Sequence, residues 1–241
     1  MARKSFKAGA LTAPLPPVMV SCGDMENSNI ITIGWTGILS TIPPRTYISV
    51  RPERHSYKMI KESGEFVINL TTVSLARTVD YTGIYTGSKV DKFKECGLTK
   101  LESREVSAPT IAECPLALEC RVVEVIPMGT HDVFIADILS VSADDSILDG
   151  DGKLRFDNAG LLAYAHGEYY ALGEKVGRFG FSTDKVKKKK SGVSKNGACT
   201  AQRREKRAEN VKSDEDTEKK KRPFYLDAPR GKNRGKRGGR K

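Results

Sequence analysis

Up to Ser182, apolar residues come in short β-branched runs bounded by Gly, Pro, Asn and Asp, the pattern of strands in a barrel or sandwich. Strands are predicted at Val18 to Cys22, Ile30 to Trp35, Thr46 to Arg51, Glu65 to Leu70, Leu116 to Ile126 and Val133 to Val141. Two stretches switch to helical spacing. His55 to Glu62 sets Tyr57, Met59 and Ile60 among charges, and Ser74 to Asp80 opens on a residue able to cap. A third short helix is predicted from Val90 to Cys96, stopping at Gly97, which suits a left-handed position after the helix. The helices interrupt the strands without alternating regularly with them, so they read as caps on a mainly β barrel.

Charge divides the chain at the same place. The whole chain carries a formal net charge of +11, but residues 1–182 hold 19 basic and 22 acidic side chains, net −3. Residues 183–241 hold the other 22 basic and 8 acidic side chains, net +14. This second part has lysine blocks at Lys187 to Lys190 and Lys219 to Arg222, then a Gly/Arg/Lys-rich end from Arg230 to Lys241. With aromatic content only in Pro223 to Leu226, it buries too little apolar surface to offset its ordering entropy and is expected to be a disordered tail. The expected division is therefore a folded domain at 1–182 and a basic tail at 183–241.

Five cysteines, with no C-x-x-C pair, support neither a disulfide framework nor a zinc knuckle. Cys22, Cys114 and Cys120 lie in apolar strands and read as small buried hydrophobes. No apolar run approaches the roughly 20 residues of a membrane helix, and the N-terminus has no signal-like apolar stretch. The expectation is a soluble, cytoplasmic protein, in which the Asn69-Leu70-Thr71 sequon is idle.

Several familiar chemistries are absent from the motifs. There is no Walker A loop, no G-x-S-x-G elbow and no H-E-x-x-H helix, and Gly173, Gly177 and Gly180 are not spaced as a dinucleotide fingerprint. With three histidines, His55, His131 and His166, a multi-histidine metal site is not expected. Asp149-Gly150-Asp151-Gly152 fails as a calcium loop, because aligning it as an EF-hand puts Ile147 and Asn158 where carboxylates belong.

What remains is a series of small, polar and aromatic residues at strand ends. It runs through Asn29-Ile30-Ile31-Thr32-Ile33-Gly34-Trp35-Thr36-Gly37-Ile38-Leu39-Ser40, Pro43-Pro44, Ser49-Val50-Arg51 and Arg54-His55-Ser56-Tyr57. It continues through Asn69, the stretch Asp80 to Phe93, Gly129-Thr130-His131-Asp132 and Glu168-Tyr169-Tyr170. The ordered series, from about Pro14 to Ser182, resembles the flavin reductase-like family, FMN-binding split barrels of the flavoredoxin and ferric reductase type. The resemblance implies a mainly β, split-barrel homodimer holding FMN near the subunit interface. Such a protein takes hydride from NADH or NADPH and passes electrons to free flavin, a ferric chelate or a redox protein.

The residue types agree with that chemistry. A flavin ring needs main-chain groups along its polar edge with little bulk in the way, which Thr36-Gly37 offers, and Trp35 suits a wall beside it. Arg51, with Ser49 and Ser56, suits a phosphate. By position in the resemblance, Thr32, Val50, Tyr57, Asn69, Thr86, Ser88 and Lys92 join the cofactor set, with Asp91 holding Lys92, and His131 meets the reductant. No side chain is assigned as a catalytic acid or base. Taken singly, Trp35 also reads as a core aromatic, Arg51 and Lys92 as surface cations, and His131 as a turn residue. Ile135-Ala136-Asp137 departs from the glycine-glutamate pair of many relatives. The alternative function is nucleic-acid binding through the tail, whose Lys/Arg blocks neutralise phosphates without reading sequence. The choice between NADH and NADPH is not encoded in any motif found.

Overall fold

The computed structural model describes residues 2–183. The predicted tail, and the nucleic-acid binding assigned to it, lie outside the described residues. The framework is a seven-stranded antiparallel sheet. It contains β1 (Val18–Gly23), β2 (Ser28–Ile33), β3 (Thr36–Thr41), β4 (Pro44–Val50), β5 (Glu65–Asn69), β8 (Leu116–Pro127) and β9 (Asp132–Ala143). Their order across the sheet is β2-β1-β5-β8-β9-β4-β3. Three helices, α1 (His55–Ser63), α2 (Ala76–Ile84) and α3 (Lys92–Glu95), interrupt the strands. The short pairs β6 (Lys100–Leu101) with β7 (Thr110–Ile111), and β10 (Leu162–Ala165) with β11 (Glu168–Ala171), complete the fold.

Period-2 alternation decides which side chains meet. Val18, Val20 and Cys22 of β1 point to the inside of the curled sheet, where they pack with Ile31 and Ile33 of β2, Ile48 and Val50 of β4, Phe66 and Ile68 of β5, and Phe134 of β9. Because β2 and β4 share this core while lying near opposite ends of the strand order, the sheet closes on itself as a split barrel. The intervening residues of the same strands, Met19 and Ile30, face outward into a second core with Val79 of α2, Phe93 of α3, Ile111 of β7 and Leu162 of β10. Fully burying a side chain such as Phe66, Met19 or Ile48 contributes about 1.5–3 kcal/mol. The 12-residue β8 and β9 bend through register shifts between Glu119 and Cys120 and between Val122 and Glu124, as bulged strands do.

All six predicted strands are present within a few residues of their expected limits. The strand expected to reach Trp35 stops at Ile33, leaving Gly34 and Trp35 as a connection, and β3 follows at once. The helix expected at Ser74 begins as a 3-10 turn over Val73–Leu75, and Ser74 does not cap it: its Oγ meets Thr72 Oγ1 at 2.7 Å. α3 ends as expected, with Gly97 at φ +63. Cys22, Cys114 and Cys120 are free and buried, and burial pushes their thiols up to about 11, 12 and 12. No helix among the described residues is long and apolar enough to cross a membrane.

Candidate functional site

At one end of the barrel, β2 and the turn from β4 into α1 border two hollows that share Ile31 and Arg54 in their walls. The outer hollow, about 260 Å³, is lined by Thr32, Gly34, Trp35, Ser49, Val50 and Arg51, with His131, Tyr164 and Tyr169 opposite. The inner one, about 90 Å³, is lined by Asn29, Ser56, Thr86, Gly87 and Lys92, with Arg54 and His55 at its rim. Chain segments far apart in sequence meet here because β1 and β2 lie at one end of the strand order and β4 at the other.

The outer hollow has an aromatic wall. Trp35 is 42% exposed, so it is not a core aromatic, and its ring lies 4.5 Å from that of His131. Burial, and then the charge of Arg51, lower the His131 pKa below its ordinary value, so the ring is neutral at pH 7. Tyr164 and Tyr169 meet edge to face at 5.4 Å, and Tyr169 donates to Asp80.

The inner hollow is built around a buried cation. Lys92 is only 4% exposed, and its Nζ donates to the carbonyls of Ile30 at 2.6 Å and Thr82 at 2.7 Å. An ammonium has three donors, so one is left over on a side chain that lines the hollow. No ion pair among the described residues neutralises it. Desolvation, then the nearby Arg54 charge, lower its pKa from 10.5 to about 8. Beside it Asn29 donates to Ser56 Oγ at 2.7 Å. Gly87 has no room for a Cβ, which would fall 2.2 Å from Asn29 Oδ1. A buried, unmatched positive charge flanked by hydroxyl and amide groups is a receptor for a small anion.

Residues 11–173 match the family described as flavin reductase like domain. The chain belongs to the flavin reductase-like family. Flavoredoxin of Desulfovibrio vulgaris (Miyazaki F) is 33% identical, with a TM-score of 0.71 over 76% of this chain and 100% of that one. Flavoredoxin from Methanosarcina acetivorans is 25% identical, with a TM-score of 0.67 over 79% of this chain and 99% of that one. An uncharacterized protein of Archaeoglobus fulgidus is 34% identical over 143 residues, 59% of this chain and 80% of its own length. Membership makes the chain a flavin-related oxidoreductase with a split-barrel fold, as the sequence resemblance implied.

Within that family frame the expected site residues divide. Thr32, Trp35, Ser49, Val50, Arg51 and His131 line the outer hollow, and Ser56, Thr86 and Lys92 the inner one. Five residues stand outside both linings. Asn69 is buried in the barrel wall, with Nδ2 donating to Met19 O and Ser21 Oγ and Oδ1 accepting from Ile111 N, so its amide is used up in holding strands together. Tyr57 donates to Asp132 at 2.6 Å and packs edge-on to Phe134. Thr36 on β3 donates to the Tyr47 carbonyl on β4, and Gly37 makes way for the Tyr47 ring, 3.3 Å from where a Cβ would sit. Ser88 is exposed, and its Oγ lies 3.1 Å from Thr86 Oγ1.

Two roles also shift. Lys92 is held by carbonyls rather than by Asp91, whose carboxylate caps α3 by accepting from Lys94 N. Arg51, expected at a phosphate, lines the outer hollow and not the inner one that holds Lys92. Asn29, Arg54, Gly87, Tyr164 and Tyr169 were not singled out from the sequence. All of them except Tyr164 sit inside the segments that carry the family resemblance, which was the available signal.

Proposed function

We propose that the chain binds FMN across the two hollows and acts as an NAD(P)H-dependent FMN oxidoreductase. The observation that carries this is the buried Lys92 ammonium, which has a spare donor and no carboxylate partner in a hollow that shares Ile31 and Arg54 with an aromatic-walled one. Lys92, Asn29, Ser56 and Thr86 fit the phosphate, which carries close to two negative charges at pH 7. Trp35, His131, Tyr164 and the backbone around Gly34 suit the flat ring. When bound, FMN supplies a centre that accepts hydride from reduced nicotinamide and passes electrons to free flavin, a ferric chelate or a redox protein. His131 is kept neutral beside Arg51 and offers a ring N–H to the reductant without adding positive charge.

A homodimer is part of the same proposal. Ile38 and Leu39 on β3, Val123 on β8, and Leu139 and Val141 on β9 are all exposed, and a second copy would cover apolar residues of this kind. A reducing, cytoplasmic setting agrees with the free thiols of Cys22, Cys96, Cys114 and Cys120. The test is direct: purified protein titrated with FMN should turn yellow, quench flavin fluorescence and be bleached by NADH or NADPH. Protein that takes up no FMN would end this proposal.

A further inference from the structure

We propose that Arg51 and Arg54 form a second anion site at the mouth of the cleft, which takes the diphosphate of the nicotinamide reductant; this rests on the FMN reading above. The inner hollow has its own cation in Lys92, so the phosphate assigned to it does not need Arg51, which is absent from that lining. Arg51, Glu53 and Arg54 instead border a wide, open hollow at the protein surface, of about 650 Å³. Arg51 also lines the outer hollow, and Arg54 lines both of the deeper ones. The three spaces therefore share wall residues along one turn.

Lack of a carboxylate partner is shared with Arg3 and Arg77, and what sets these two guanidinium groups apart is that they also line the hollows. Arg45, Arg121 and Arg155 each face a carboxylate, on Asp137, Glu65 and Asp157 respectively. Among the described residues no ion pair or side-chain hydrogen bond engages Arg51 or Arg54, although the folded part of the chain has an excess of acidic groups. Glu53 borders the same space and leaves it one net positive charge. Such a site attracts a diphosphate and still releases it, as a reductant that must come and go requires. A guanidinium fork fits phosphate oxygens two at a time.

Position supplies the rest of the argument. Arg51 and His131 line the same hollow, the Arg51 charge lowers the pKa of that ring, and His131 meets Trp35 at 4.5 Å with the rings tilted by 43°. A flat nicotinamide laid over a flavin ring held at this aromatic wall would carry its diphosphate out towards Arg51 and Arg54. The chain has no glycine-rich dinucleotide fingerprint, so backbone amides of that kind are not available for the task. The phosphate of free FMN arriving as electron acceptor has the same chemistry, and the experiment separates the two sources.

The 241-residue chain and its Arg51→Gln and Arg51→Lys variants are titrated calorimetrically with ADP, which carries a diphosphate but no nicotinamide, with and without FMN. Residues 183–241 are common to all three proteins, so anion binding by that basic segment cancels in the comparison. Arg51→Gln is expected to weaken ADP binding and raise the KM for NADH or NADPH about tenfold, with less than about a twofold change in FMN affinity. Arg51→Lys should recover part of the loss. Equal ADP binding by wild type and Arg51→Gln overturns the proposal. So does a variant that raises the KM for FMN as acceptor but not for riboflavin while leaving ADP unaffected, because the site then serves the acceptor. Protein that never binds FMN would sink the cofactor reading alone, since the ADP comparison on the flavin-free protein still decides the anion site.

Discussion

Replacing Lys92 by methionine removes the buried ammonium and keeps most of its apolar stem, and two consequences oppose each other. The empty protein loses hydrogen bonds to Ile30 O at 2.6 Å and Thr82 O at 2.7 Å, each worth about 1.5–3 kcal/mol when the donor is charged. It also sheds a charge buried without a carboxylate, a burden of roughly 3 kcal/mol from the fall of its pKa from 10.5 to about 8. The two partly cancel, leaving a net loss of about 0–3 kcal/mol, so the thermal midpoint of the variant should fall by no more than about 12 °C. FMN binding has no such compensation. Losing a charge-assisted bond to phosphate should weaken it about 30- to 100-fold, whereas riboflavin, the same ring without phosphate, should bind within about threefold of wild type.

The pH dependence adds a second reading. Below pH 8 Lys92 is charged and meets the phosphate, so wild-type FMN affinity should fall as pH rises through about 8 while riboflavin affinity stays level. For the empty protein the sign is opposite. Between about pH 8 and 10.5 the folded state binds fewer protons at Lys92 than the unfolded chain, so wild type gains stability relative to Lys92→Met as pH rises across that window. Fluorescence titration of both flavins, with thermal denaturation at pH 7 and 9.5, covers all of this. Equal losses for FMN and riboflavin, together with a large drop in midpoint, would show that Lys92 is only a structural post.

Three further outcomes are expected. Asn69→Leu should destabilise the fold by about 2–4 kcal/mol in urea denaturation, because it strands the buried groups bonded to its amide, and should leave FMN affinity of the remaining folded protein within about twofold. Gly87→Ala should weaken FMN binding about tenfold by pushing Asn29 off Ser56, with riboflavin less affected. Removing residues 183–241 should leave flavin uptake unchanged and abolish any salt-sensitive retention on RNA, measured by filter binding at increasing salt.

The strands were legible because alternation survives wherever a strand has one face in each core. Alternation fails at β3, where Ile38 and Leu39 are apolar side by side and the register shifts between Ile38 and Ser40. A bulge of this kind breaks the period of two on which a sequence reading depends. Gly37 was read as room for a ring and does provide it, but for Tyr47 rather than a ligand. Local sequence could not say that Lys92 is buried, because its acceptors are the carbonyls of Ile30, 62 positions away, and of Thr82. Family resemblance supplied that residue, and the geometry explains it. Asn69 shows the converse, since position in the resemblance put it at the cofactor and its three strand-bridging bonds take it away.

The raised thiols of Cys22, Cys114 and Cys120 make the barrel its own alarm. At neutral pH they are protonated and shielded from solvent, so alkylating reagents should ignore them until a strand peels away. Cys22 packs inside the barrel, Cys114 in the outer layer beneath the helices, and Cys120 on β8 in the barrel core. The order in which mass spectrometry finds them labelled would therefore report which layer opens first and whether a bound ligand delays it.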